Sequence, residues 1–193
     1  MPRPYVIATR GSLLARTQTE IIRKKLQKIC GQKFEIKTIR TQGDEQTSKP
    51  LWQLEGKDFF TKELDQALLK GEVDLVVHSY KDLGSVRPEG IELAAVTERT
   101  YPQDILLLKN ETIKRWPSKK TFNVGTSSPR RIYLCENFLG ALLPGKEPIK
   151  VETSLLRGNV NTRIQKMLDG HFDGVVLAMA GLERLCADPD SLK

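Results

Sequence analysis

No run of this sequence approaches the ~18 consecutive apolar residues that a membrane-spanning helix requires. Met1-Pro2-Arg3-Pro4 leads straight into an apolar strand with no signal-peptide core. A soluble cytoplasmic chain with no membrane partner is the expectation. Cysteine is scarce: Cys30, Cys135 and Cys186 are odd in number, widely spaced and without a Cys-x-x-Cys pair, which argues against a disulfide framework or a zinc site. All three are expected to be small buried apolar residues in a reducing compartment. His78 and His171 are the only histidines, so no metal site is expected. The Gly-x-x-x-x-Gly-Lys-Ser/Thr and Gly-x-Gly-x-x-Gly patterns that cradle nucleotide phosphates are missing. A basic tail, zinc-finger spacing and an aromatic-basic RNA-binding signature are missing too, which argues against nucleic acid as a partner.

What the chain has in excess is positive charge. Lys plus Arg number 31 and Asp plus Glu 24, giving a net +7, which points to anionic ligands such as a polycarboxylate or a phosphorylated small molecule. At 193 residues, 39% hydrophobic and 28% charged, the chain can bury the core of one large domain or two small ones.

Apolar strands alternate with amphipathic helices along the sequence. Strands are expected at Tyr5–Thr9, Phe34–Ile39, Asp74–His78, Ile91–Val96, Asp104–Leu108, Phe122–Val124, around Ile149–Val151 and at Gly174–Ala178. The first helix should present Leu14, Ile21, Ile22, Leu26 and Ile29 on one covered face. A helix capped by Thr61 turns Leu64, Ala67 and Leu68 inward, and another turns Val160, Ile164, Met167 and Leu168 inward. Thr41 to Asp58 lacks periodicity and holds Gly43, Pro50 and Gly56, which predicts a long mobile loop. Thr97 to Gln103 looks like a crossing between domains, so the division is 1–98 and 99–193. This alternation predicts two α/β domains with largely parallel sheets.

In such sheets ligands gather at the carboxyl ends of the strands. Four polar clusters fall there: Arg10/Ser12, Ser79/Lys81/Asp82, Thr126/Ser127/Ser128/Arg130/Arg131 and Arg157/Asn159/Arg163. The third carries a helix start, with Ser128 placed as N-cap and Pro129 at the first helical position. Two arginines in that first turn stack like charge on exposed amide N–H groups, an arrangement that makes sense with an anion on top of them. The alternative is that both side chains extend into solvent. Together the clusters predict a cation-lined cleft between two domains. Guanidinium–carboxylate hydrogen bonds sheltered from water contribute ~1.5–3 kcal/mol each, so such a cleft could hold a multiply charged acid. Asp82, beside Lys81, could act there as a general acid or stabilise a cationic intermediate; its alternative is a salt bridge to a neighbouring base. Lys57 carries the same ambiguity.

The ordered motifs resemble the porphobilinogen deaminase (hydroxymethylbilane synthase) family of haem biosynthesis. They are Ala8-Thr9-Arg10-Gly11-Ser12-Leu13-Leu14-Ala15-Arg16-Thr17-Gln18, Gly56-Lys57 through Phe60-Thr61-Lys62-Glu63-Leu64, Val76-Val77-His78-Ser79-Tyr80-Lys81-Asp82, Gly125 through Arg131, Arg157-Gly158-Asn159-Val160-Asn161-Thr162-Arg163 and Leu177-Ala178-Met179-Ala180-Gly181-Leu182. The resemblance implies two periplasmic-binding-protein-like domains with the ligand cleft between them. It implies a transferase that joins four porphobilinogen units head to tail, each losing ammonia, on a dipyrromethane cofactor tethered to a cysteine. By motif position Asp82 is catalytic, assisting loss of the amino group. Arg10, Arg130, Arg131, Arg157, Arg163 and Arg184, with Lys57, Lys81, Ser12, Thr126, Ser127 and Ser128, would hold acetate and propionate groups. Gly158 and Asn159 belong to the same carboxylate loop, Phe60 would lie against a pyrrole ring, and Gln18 and Ser79 would line the cleft.

Departures accompany the resemblance. The family's Gly-Gln-Gly segment and the third domain with its Gly-Gly-Cys cofactor anchor have no counterpart here, and Gly84 replaces the proline usual after the Lys-Asp pair. The expectation is a truncated or divergent monomeric deaminase whose cofactor cysteine lies outside this chain, in a C-terminal domain or a separate polypeptide, and which turns over poorly alone. The rival readings are a non-catalytic two-domain module that binds a small polycarboxylate, and a nucleic-acid binder.

Overall fold

The computed structural model describes residues 3–45, 59–84, 86–115, 120–145 and 147–186. The chain divides into two compact units, Met1–Arg99 with Arg184–Lys193, and Thr100–Glu183. Among the described residues no helix is long and apolar enough to cross a membrane.

The first unit is built on β1 (Tyr5–Arg10), followed by α1 (Leu13–Cys30), β2 (Phe34–Ile39), the single turn α2 (Gln42–Glu45), α3 (Lys62–Leu69), β3 (Leu75–Val76) and a 3-10 turn at Tyr80–Asp82. The sheet order is β2-β1-β3, with both pairings parallel. Ile7 and Ala8, successive residues on opposite faces of β1, are both fully buried, so this central strand is covered on both sides, as a parallel strand requires. Ala8, Leu64, Ala67 and Val73 form the core on the α3 side, and truncating a leucine buried like Leu64 costs about 2–5 kcal/mol.

Ser12 ends β1 and starts α1: its hydroxyl accepts the Ala15 N–H at 3.3 Å, while Gly31 closes the helix at φ 66°. The covered arc of α1 is narrower than its apolar stripe. Ile21 and Ile29 are exposed, Ile29 by 79%, and the fully buried residue is Thr19, whose hydroxyl donates to the Ala15 carbonyl at 2.8 Å and so leaves no orphan donor.

Two expected strands change. Asp74–His78 shortens to Leu75–Val76, because the Asp74 carboxylate takes the Val6 N–H at 2.8 Å and Val77 N–H makes the last bond to β1, at Ala8 O. Ile91–Val96 is not a strand: it has no regular secondary structure, no ladder partner among the described residues, and is largely exposed. Its alternation of apolar and polar residues matches a half-covered strand, but a strand forms only against another. In the predicted 41–58 loop, 42–45 is helical, and the remainder from 46 lies outside the described residues.

The second unit runs β4 (Asp104–Leu108), α4 (Asn110–Arg115), β5 (Thr121–Gly125), α5 (Pro129–Leu134), a π-helical turn (Cys135–Leu139), α6 (Gly140–Leu142), β6 (Lys150–Ser154), α7 (Val160–Leu168) and β7 (Gly174–Ala178), which continues into α8 (Met179–Cys186), whose residues from Arg184 on are grouped with the first unit. Its sheet order is β4-β7-β5-β6, parallel except for the edge strand β4, which is antiparallel to β7. β7 separates two cores by alternation. Val176 joins Phe122, Val124, Cys135 and Val151 on one face, and Val175 and Leu177 join Leu156 and Met167 on the other. The continuous run Gly174–Leu177 is therefore buried throughout. Gly140 is required by close approach, since a Cβ there would stand 2.1 Å from the Ile149 carbonyl oxygen. The mixed α/β class follows from the alternation as predicted. The cysteines do not: Cys135 is buried, whereas Cys30 and Cys186 are exposed, each as the last residue of its helix.

Candidate functional site

In the first unit the predicted residues gather at the carboxyl end of β1. Arg10, its last residue, is four-fifths buried and meets two carboxylates and a ring. Its Nη2 pairs with Asp44, its Nε donates to Asp44 Oδ2 at 3.4 Å, its Nη1 stands 3.8 Å from Asp82 Oδ2, and its Cζ lies 3.9 Å above the centre of the Phe60 ring. Phe60 thus contacts a predicted carboxylate-binding arginine. Asp44 is fixed in turn by the hydroxyl of buried Thr41 at 2.8 Å. Burial alone would raise the Asp44 carboxyl, but the hydrogen bonds from Arg10 and Thr41 outweigh it and hold it below the usual carboxylate range. Asp82, 21% exposed, touches Arg10 only at salt-bridge range, so Asp44 is the arginine's principal partner.

Behind this group His78 is pushed down to about 4, by burial first and then by the positive charges of Arg10 and Arg87. It is a neutral imidazole at pH 7, and its buried Nε2 has no hydrogen-bond partner among the described residues. Gln18 of α1 donates from Nε2 to the His78 carbonyl at 3.3 Å and accepts from Ser79 Oγ at 3.1 Å. Ser12 is occupied as the helix cap, and Lys81 is exposed in the 3-10 turn. Lys57 lies outside the described residues.

In the second unit the predicted residues gather around the ends of β5, β6 and β7. Pro129 opens α5 with Ser128 at the N-cap position, as the sequence indicated, but the Ser128 hydroxyl makes no capping bond; its N–H donates to Thr126 Oγ1 at 3.3 Å instead. Ser127 is consumed by β6's continuation, donating to the Leu156 carbonyl at 2.7 Å and accepting the Leu156 N–H at 3.0 Å. The carboxylate that answers the paired arginines comes from the chain itself. Asp104, the first residue of β4, takes Arg131 Nη2 at 2.7 Å and Arg130 Nη2 at 2.6 Å. Arg131, 14% exposed, also donates from Nη1 to the Val176 carbonyl at 3.1 Å, and its buried Nε has no hydrogen-bond partner among the described residues. Arg130 is 63% exposed.

Gly158 takes φ 114°, a conformation that a side chain would strain, and it lets the loop turn into α7. Asn159 caps that helix, its Oδ1 accepting Thr162 N–H at 3.1 Å and Thr162 Oγ1 at 2.8 Å. Arg163 is anchored by Nε–H to the Gly158 carbonyl at 2.8 Å. Its guanidinium is pushed down to about 10, by burial first and then by the charges of Arg131 and Arg157, while Arg157 is lowered by burial. It stays charged at pH 7, and both charged neighbours that act on it are positive. That is the electrostatic condition for holding an added anion. Arg184 is partly buried on α8.

Asp44 and Asp104 are the participants that sequence reasoning missed. Asp44 had one local signal, the Thr41-x-x-Asp44 spacing that makes a side-chain bond across a turn. Asp104 had none, because its partners lie 26 and 27 positions along the chain.

Comparison with known proteins places this site in context. The family described as "Porphobilinogen deaminase, dipyromethane cofactor binding domain" matches residues 5–191. A probable porphobilinogen deaminase of Methanococcoides burtonii is 40% identical over 186 residues, covering 96% of this chain and 56% of the relative. The porphobilinogen deaminase of a Nitratiruptor species is 43% identical over 180 residues, covering 93% and 54%. The chain thus spans about half the length of the curated relatives it matches. Among solved structures, the periplasmic VFT2 domain of Bordetella pertussis BvgS aligns at 15% identity and a TM-score of 0.41, over 92% of this chain and 68% of that one. By the match over nearly its whole length and by these relatives, the chain belongs to the porphobilinogen deaminase family.

Proposed function

We propose that the chain binds porphobilinogen and assists its deaminative joining into hydroxymethylbilane, as a monomeric transferase of the cytoplasm. The observation that supports this reading is the grouping of arginines in the second unit: Arg163, anchored on the Gly158 carbonyl at 2.8 Å, is lowered by burial and by the charges of Arg131 and Arg157, a cost that a carboxylate beside it would offset. Porphobilinogen brings an acetate and a propionate. In this reading Arg157 and Arg163 hold one carboxylate, and Arg130, the exposed member of the Asp104 group, meets the other. Names borne by the relatives supply the substrate.

The dipyrromethane of the family carries the same acidic side chains. The cation-rich loop of Arg157, Gly158, Asn159 and Arg163 fits it, as does the orphaned Nε–H of Arg131. When bound, it supplies the primer from which the pyrrole chain grows. The protein's own contribution is binding, orientation and proton handling. Asp82 would sit at the substrate nitrogen: a protonated amino group leaves as ammonia with its bonding pair, and the carboxylate stabilises the cationic azafulvene left behind. A carboxyl group positioned to handle that proton and charge is worth ~10²–10⁴-fold in rate. Arg10, held by Asp44, stands 3.8 Å from one oxygen of Asp82 and leaves the other free of it.

Ammonia release on adding porphobilinogen to the 193-residue chain separates this reading from a non-catalytic carboxylate-binding module. Release that disappears in Asp82→Asn is the expected result. Saturable binding with no release from the unaltered chain would support the module instead.

A further inference from the structure

We propose that Gln18 is a positioning residue that sets where the Lys81–Asp82 turn sits, acting on the chemistry only through Asp82. The inference rests on the reading of Asp82 given above, and its geometric half stands without it.

β3 is only two residues long, so the segment that follows leaves the sheet early. Its last ladder bond is Val77 N–H to Ala8 O at 3.1 Å. Beyond that point, among the described residues, the side-chain hydrogen bonds made by residues 78 and 79 both go to Gln18. Gln18 spends both ends of its amide there, donating to the His78 carbonyl at 3.3 Å and accepting the Ser79 hydroxyl at 3.1 Å, across 60 and 61 positions of sequence. Gln18 projects from an 18-residue helix whose own start is fixed by the Ser12 cap. It therefore connects a rigid element to a loose one. The 3-10 turn hangs directly on the clamped residue: Asp82 N–H bonds to the Ser79 carbonyl at 2.9 Å, and Leu83 N–H to Tyr80 O at 3.2 Å. A shift at Ser79 is transmitted to Asp82 through that bond and changes its 3.8 Å separation from Arg10.

The arrangement also limits what Gln18 can do directly. Its carbonyl oxygen and one amide hydrogen are committed inside the protein, so a ligand would find only the second amide hydrogen. Ser79 likewise gives its hydroxyl hydrogen to Gln18. Together they act as a splint under the acid.

The test uses the 193-residue chain and three variants. Gln18→Met keeps the length and packing but removes both bonds; Gln18→Glu keeps the acceptor for Ser79 but loses the donor; Ser79→Ala removes one bond from the other side. Amide hydrogen exchange is read at Asp82 and Leu83, with Ile7 and Ala8 of β1 as the internal control. Each hydrogen bond contributes enough for a several-fold change, so Gln18→Met should speed exchange at Asp82 and Leu83 about tenfold, Gln18→Glu and Ser79→Ala less, with β1 unchanged. Adding Ser79→Ala to Gln18→Met should change nothing more. Unchanged exchange at Asp82 in Gln18→Met, or equal acceleration in β1, would overturn the proposal.

The functional arm is ammonia release from porphobilinogen. Gln18→Met should slow it about tenfold with binding unchanged, and should add nothing in an Asp82→Asn background. Weakened porphobilinogen binding, or the same slowing in both backgrounds, would show that Gln18 touches the ligand itself and would also overturn the proposal. If no variant, including the unaltered chain, releases ammonia, the functional reading fails, and the exchange comparison alone decides whether Gln18 places the turn.

Discussion

Each unit sets an aspartate of its own against arginines at strand ends, yet the balance struck differs. In the first unit a single guanidinium, Arg10, is shared by Asp44 and Asp82 and covered by Phe60, and the nearby histidine is neutral. In the second, Asp104 answers Arg130 and Arg131, while Arg163 is lowered by burial and by the charges of Arg131 and Arg157. In the first, one guanidinium lies between two carboxylates. The second is the unit to which carboxylate binding is proposed. The same residue types, Asp and Arg, thus serve opposite ends depending on which is in surplus.

The comparison breaks most visibly at Asp82. Asp82→Asn should slow ammonia release by ~10²–10⁴-fold while porphobilinogen binding changes less than about threefold. A binding loss as large as the rate loss would make Asp82 a ligand-holding group and erase the division of labour.

On the other side, Asp104→Asn should lower thermal stability by about 1–3 kcal/mol, since it strips the partner from Arg131. Most of that is assigned to Arg131, because Arg130 is largely exposed and its pairing is screened by water. Arg130→Ala should accordingly cost less than ~1 kcal/mol in the same melt. Equal destabilisation by the two changes would contradict the burial difference between these neighbours.

Acid sensitivity sharpens the contrast further. The folded-state value of His78 lies below its unfolded value of 6.5, at about 4. The unfolded chain therefore binds the proton first, and stability drains away as pH falls from 6.5 towards 4, by up to about 1.4 kcal/mol per unit. Asp44 and Asp104 are also held low, so the stability they contribute is present above their ordinary value of 3.8 and is lost only below it. His78→Asn should flatten a stability profile between pH 6.5 and 4 and leave the steeper loss below 3.8 intact. A profile unchanged by the substitution would show that His78 titrates normally.

Much of this was legible in the sequence where the determinant is local. The strand-to-helix passage through Arg10 and Ser12 and the Pro129 start each depend on a few adjacent residues, and each stands where the pattern placed it. The apolar run Gly174–Ala178 likewise reads as a strand and is one. What stayed hidden depends on partners far along the chain. Ile91–Val96 has a strand's pattern but no ladder; Ile29 has a core residue's chemistry but nothing over it; Asp44 and Asp104 gain their roles only when folding brings arginines to them. The serines show the same limit: Ser127 and Ser79 look free on paper, and their hydroxyls are committed to Leu156 and Gln18.

The claim at the centre is that surplus positive charge around Arg163 binds the carboxylates of porphobilinogen. Calorimetric titration of porphobilinogen into the unaltered chain and into Arg163→Ala tests it most directly. The account predicts saturable binding that weakens about tenfold or more in the variant, the equivalent of one sheltered charge-assisted hydrogen bond. Binding of equal strength in both proteins would contradict it.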